Sequence, residues 1–152
     1  MATTNAKAFV DTNVLLRATI TQFPLHQDAK KLVAQQLVDN VELWISRQVI
    51  REYIAQSTRP QAFMNPMTFA QVDAQVKSMR TLFKIADDTE QVTDQLLKLL
   101  ADYPTGGKQV HDANIVATML VHKIDTLMTT NVKDMKRFED KINLMPLTEP
   151  NK

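Results

Sequence analysis

The chain has 152 residues, with 18 Lys+Arg against 17 Asp+Glu and no cysteine. That length suits one domain spanning residues 1–152, and 44% hydrophobic residues supply one buried core. A formal net charge of +1 excludes a global positive field, so any anion site is local, and the missing cysteines exclude disulfides, Cys-ligated zinc and thiol catalysis.

The apolar pattern alternates between short runs and helical spacing. Ala8-Phe9-Val10 predicts a buried strand ending at Asp11, and Thr12 to about Thr21 a short helix. Gln27 to Asn40 is an amphipathic helix carrying Leu32, Val33 and Leu37, with Val41 at its end. Leu43-Trp44-Ile45 is a second strand, and Ser46 caps a helix running to about Ser57. Thr58-Arg59-Pro60 ends that helix, because a residue before proline avoids helical angles. A loop follows from Pro60 to Pro66. Thr68-Phe69-Ala70-Gln71 has the form of a capping box opening a helix to about Leu82. Phe83 to Ala86 is a third strand, and Asp88 or Thr89 caps a helix to about Asp102. Pro104-Thr105-Gly106-Gly107 is a break. His111 to His122 is helical, Ile124 to Thr129 a strand, Val132 to Phe138 a helical turn, and Ile142 to Met145 a last strand. Such alternation predicts an α/β protein: a central, mostly parallel sheet with helices on both faces.

Several site classes drop out. The only glycines, Gly106 and Gly107, build neither a dinucleotide fingerprint nor a P-loop. There is no H-x-x-x-H pair and no G-x-S-x-G elbow. No run reaches the roughly 18 apolar residues of a membrane span, and the polar start from Met1 to Ala8 lacks a signal-peptide core, so a cytosolic location is expected.

Acids fall where parallel sheets bind ligands, beyond the carboxyl ends of strands. Asp11 follows three buried-type residues; it is either a site acid or the cap of the next helix. Asp112 heads an apolar stripe of Ile115, Val116, Met119 and Leu120, and burying an unpaired carboxylate is costly. It must meet a cation, backbone N–H groups or a cleft, although a first-turn acid also suits the helix dipole. Glu52 lies nearer the face opposite Val49, Ile50, Tyr53 and Ile54, so periodicity alone makes it a surface acid. Asn131 and Asp134 stand in a polar turn after a strand and read equally as turn formers. Hard oxygen ligands of this kind suit Mg2+ or Mn2+.

Four segments together resemble a known family. Phe9-Val10-Asp11-Thr12-Asn13-Val14-Leu15-Leu16 resembles the opening strand of PIN-domain nucleases. Ile45-Ser46-Arg47-Gln48-Val49-Ile50-Arg51-Glu52-Tyr53 is similar to the segment carrying that family's second acid. His111-Asp112-Ala113-Asn114-Ile115-Val116-Ala117 resembles its third-acid helix, and Leu127-Met128-Thr129-Thr130-Asn131-Val132-Lys133-Asp134 its closing strand and turn. The order matches over about residues 8–147, and the size most resembles the VapC-type toxins of toxin–antitoxin pairs. The resemblance implies a PIN-like three-layer fold and a metal-dependent endoribonuclease. Asp11, Glu52 and Asp112 would surround Mg2+ or Mn2+. The fourth acidic place falls on Asn131, where many members have aspartate, with Asp134 three residues later. Thr12, Asn13 and Thr129 would orient ligands or position substrate, with Arg17, Arg47, Arg51 and Lys108 as local bases for RNA. Water would be the nucleophile, leaving 5′-phosphate and 3′-hydroxyl ends. A cognate antitoxin and a homodimer are the implied partners.

Three other readings compete. A non-catalytic RNA- or protein-binding module would treat Asn131 as a degraded site. A haloacid-dehalogenase-type phosphatase needs a second acid two residues after the nucleophile, where this chain has Asn13. Flap-type DNA cleavage usually involves longer chains with added helical elements. Phe63, Met64, Met67 and Phe69 read first as core and second as a groove for a partner helix or strand, or a dimer face.

Overall fold

The computed structural model describes residues 5–148. The first and last four residues of the expected 1–152 unit, including part of the polar start, lie outside the described residues. The strands are β1 (Lys7–Val10), β2 (Glu42–Ser46), β3 (Lys84–Ala86), β4 (Thr126–Thr129) and β5 (Asn143–Pro146). They form one sheet in the order β3-β2-β1-β4-β5, and every neighbouring pair is parallel. The connecting helices are α1 (Thr12–Thr19), α2 (His26–Val38), α3 (Arg47–Ser57), α4 (Phe69–Leu82), α5 (Glu90–Asp102), α6 (Gln109–Val121) and α7 (Val132–Met135), with a 3-10 turn at Lys136–Phe138.

Central parallel strands are covered on both faces, so they need continuous apolar runs. Phe9 in β1 stands in register between Trp44 of β2 and Leu127 of β4 and is fully buried. Pro146, which lacks an N–H, ends the edge strand β5. Helices α1 to α4 pack on one another, as do α5 to α7. Given the right-handed crossovers that parallel strands require, this strand order assigns the first group to one face and the second to the other. The chain order reverses between β1 and β4, which makes their carboxyl ends the crevice of the sheet.

Local chemistry explains several element ends. The Ser46 hydroxyl accepts from the Val49 amide and starts α3. Thr68 and Gln71 close a reciprocal capping box at α4, at 3.2 and 2.9 Å. Thr68→Ala should therefore cost about 1 kcal/mol, read as a lower urea midpoint at unchanged slope. Two helix ends differ from the sequence expectation. Asn40 (φ 59°) and Lys123 (φ 58°) adopt left-handed backbone. Their N–H groups, and those of the residues after them, bond back to Leu37, Gln36, Leu120 and Met119 carbonyls. Both are Schellman closures, in which a left-handed residue turns the chain off the helix. Ile124 is thereby spent on ending α6, and β4 begins two residues later than expected.

The apolar loop segment divides. Met64 and Met67 pack partly buried against the core. Phe63 is 41% exposed and lays its ring edge on Phe23, 4.8 Å between centroids. Phe69 is 84% exposed, which overturns the core reading for that residue. It opens α4, whose buried positions Val72 and Met79 come later along the helix.

Candidate active site

Asp11 sits one residue past β1, at the crevice. Its amide donates to the Met128 carbonyl at 3.0 Å, extending the ladder toward β4, and the side chain is only 5% exposed. It is the N-cap of α1, so the capping reading holds in part. One carboxylate oxygen accepts from the Thr12 amide at 2.8 Å. The other accepts from the Thr129 hydroxyl at 2.8 Å and the Asn13 side-chain amide at 3.2 Å. A capping aspartate ordinarily serves the second or third helical amide. Asp11 serves only the first and spends its second oxygen across the crevice. Burial pushes its pKa up to about 6. The Thr129 and Thr12 bonds oppose that rise, and the charges of Glu52 and Asp112 add to it.

Glu52 is half-buried in α3, so the surface reading from periodicity fails. The reason is tertiary: α3 packs on α1 as well as on the sheet. One Glu52 oxygen accepts from the Thr12 hydroxyl at 2.7 Å and the other from Gln48 at 3.0 Å. Asp112 is half-buried in the first turn of α6, above the buried Ile115, Val116 and Met119. Desolvation raises its pKa first, and the charges of Asp134 and Glu52 raise it further. Asp134 in α7 thus stands close enough to Asp112 to be felt.

The expected positioning residues cluster around Asp11. Asn13 donates to Asp11 and accepts from the Thr130 amide at 2.9 Å. Thr129 donates to Asp11 and accepts from the Asn131 amide at 2.9 Å. The Asn131 side chain makes no capping bond to α7. Arg17 lies one turn beyond Asn13 and donates to the Asn13 carbonyl at 2.8 Å. Its guanidinium lies over the Phe23 ring, and burial lowers its pKa. Arg47 is engaged with Asp87 at 2.8 Å, while Arg51 and Lys108 are exposed.

Sequence reasoning missed three residues. Gln48 and Asn114 are joined by a hydrogen bond of 2.9 Å beside Glu52. Arg137 donates to Thr105, Gln109 and the Asp134 carbonyl, and its charge lowers the pKa of Asp112. Each lies within or beside a quoted segment, but only the fold turns them toward the acids.

The donor chemistry suits a hard divalent cation. Asp11, Glu52 and Asp112 offer only oxygen, feel one another's charge, and have no Lys, Arg or His ion-pair partner among the described residues. Among the described residues, no three His, Cys, Asp or Glu side chains stand close enough to hold an ion as placed. A separate cleft of about 630 Å³, lined by residues such as Thr19, Met64 and Gln75, contains none of these acids.

The PIN domain family matches residues 8–141, and the chain belongs to that family. Its fold is similar to solved chains of toxin–antitoxin systems. A chain of the VapBC2 complex from Rickettsia felis, bound to a promoter DNA fragment, is 18% identical with a TM-score of 0.66, over 93% of this chain and 99% of that one. VapBC-1 from nontypeable Haemophilus influenzae gives 20% identity and 0.66, over 92% and 97%. VapC20 from Mycobacterium tuberculosis, described as a toxin cleaving the sarcin–ricin loop, gives 17% and 0.66, over 86% and 94%. No curated protein matches the sequence. Among the described residues, no helix is long and apolar enough to cross a membrane.

Proposed function

We propose that this chain is a divalent-cation-dependent endoribonuclease, the toxin half of a VapBC-type pair. The observation that carries the reading is Asp11: a buried carboxylate at the sheet crevice that feels two further acids and no cationic partner. Asp11, Glu52 and Asp112 hold Mg2+ or Mn2+. Asp134 adds charge beside Asp112, and Asn131 contributes at most an uncharged amide oxygen. When bound, the cation supplies hydroxide near neutral pH and offsets charge developing on the phosphate. Thr12, Asn13 and Thr129 hold the Glu52 and Asp11 carboxylates in place, and Arg17 stands one turn away to meet an RNA phosphate. The kinship with VapBC toxins supports RNA as substrate, a cognate antitoxin, a homodimer and a cytosolic location.

The phosphatase reading is disfavoured by Asn13. Its amide is committed to Asp11 and the Thr130 amide, so it can neither take nor give a proton there. The test is cleavage of a structured RNA pool with Mg2+, with Mn2+ and with EDTA. Wild type should cut only with metal, and Asp11→Asn should lose about 10²–10³-fold or more, the scale of removing one electrostatic group at a reacting centre. Cutting that survives EDTA, or full activity in Asp11→Asn, sinks the proposal. If wild type cuts nothing and calorimetry finds no Mn2+ binding, the non-catalytic module takes its place.

A further inference from the structure

We infer that Gln48, itself oriented by Asn114, is the positioning residue that sets the Glu52 carboxylate for cation binding; the inference rests on the nuclease reading above. Gln48 is only 7% exposed, and its side-chain amide is fully committed. Its nitrogen donates to Glu52 Oε1 and to the His111 carbonyl, both at 3.0 Å. Its oxygen accepts from Asn114 Nδ2 at 2.9 Å. A flipped amide would point its oxygen at two acceptors and its nitrogen at a donor, so this network allows one orientation.

The consequence concerns spacing between helices. Glu52 rides on α3 and Asp112 on α6, and the charge of Glu52 is felt at Asp112. Like charges push such helix ends apart. Gln48 crosses that gap, and its two partners on α6, His111 and Asn114, bracket Asp112 in the chain. With Thr12 holding the other Glu52 oxygen from α1, both oxygens of the carboxylate are held in place. Groups that orient metal-binding carboxylates typically change metal affinity by about 10–100-fold when removed. Asn114 bonds none of the acids in this network, so its effect must travel through Gln48.

The experiment is Mn2+ calorimetry on the full chain, wild type, Gln48→Met, Asn114→Leu and the double variant, each with a thermal unfolding curve. Gln48→Met should weaken Mn2+ by about 10–100-fold. Asn114→Leu should weaken it several-fold, and should add nothing in the Gln48→Met background. An affinity within twofold of wild type in Gln48→Met, or effects that simply multiply in the double variant, overturns the inference. A lowered unfolding temperature with unchanged affinity does so as well, since that is what a merely structural residue gives. Asn114→Leu keeps Gln48 and all the acids, so it carries the test if Gln48→Met fails to fold. Wild type without Mn2+ affinity brings down the nuclease reading too, whereas wild-type binding with indifferent variants overturns only the positioning role.

Discussion

Asp11→Asn should be more stable than wild type in EDTA at pH 7.5, and the gap should close near pH 4. In the folded chain the Asp11 carboxyl titrates at about 6, against an ordinary 3.8. A carboxyl whose folded pKa is raised binds its proton more tightly folded than unfolded. Its stabilising contribution is complete below the unfolded value and is lost as pH rises through about 6. At about 1.4 kcal/mol per unit, the ceiling on that loss is roughly 3 kcal/mol. Asparagine keeps the shape without the charge, but with its oxygen kept on the Thr12 amide its nitrogen meets the Thr129 and Asn13 donors, which takes back part of the gain. A net gain of about 2 kcal/mol is expected, or roughly 5 °C for a chain of this size. Thermal unfolding of both proteins from pH 4 to 8 reads it directly. Saturating Mn2+ should raise the wild-type midpoint and leave the variant nearly still. A variant less stable than wild type at pH 7.5 would mean that Asp11 is not held at a cost. Sites that trade stability for chemistry are expected to show such a gain on losing the charge.

Two phenylalanines should answer very differently to the same substitution. Phe9→Ala empties a fully buried position between Trp44 and Leu127 in the central strand. The loss should be about 3–5 kcal/mol, the combined cost of lost burial and an unfilled cavity. Because Asp11 follows two residues later, RNA cleavage should fall with it even at temperatures where the variant stays folded. Phe69→Ala removes a side chain that is 84% exposed, and should change stability by no more than about 0.5 kcal/mol. Urea unfolding of the two variants decides this, and a loss above about 1.5 kcal/mol at Phe69 would mean that the ring is covered in solution.

Several features were legible because their causes are local. The apolar run Ala8-Phe9-Val10 reads as a buried strand, and Asp11 follows at its end. The Ser46 cap and the Thr68–Gln71 box bond within three residues of themselves. Asp112 stood out because a carboxylate heading an apolar stripe is a local contradiction. Glu52 was not legible from periodicity, which scores a helix against one face while α3 also packs on α1. Only the resemblance to PIN nucleases singled it out. Asn40 and Lys123 ended their helices without glycine, a choice that closure geometry allows and composition does not announce.

By itself, then, the sequence determined the alternation of strands and helices and the Ser46 and Thr68 caps, and it singled out Asp11 and Asp112 as candidates, all consequences of spacing within a few residues. The meeting of Asp11 with Thr129, 118 residues apart, belonged to the tertiary structure alone. So did the turn of Glu52 toward Thr12 and the Gln48–Asn114 link between α3 and α6. Which side chains meet across a parallel sheet depends on strand order and crossover hand, and hydropathy along the chain encodes neither.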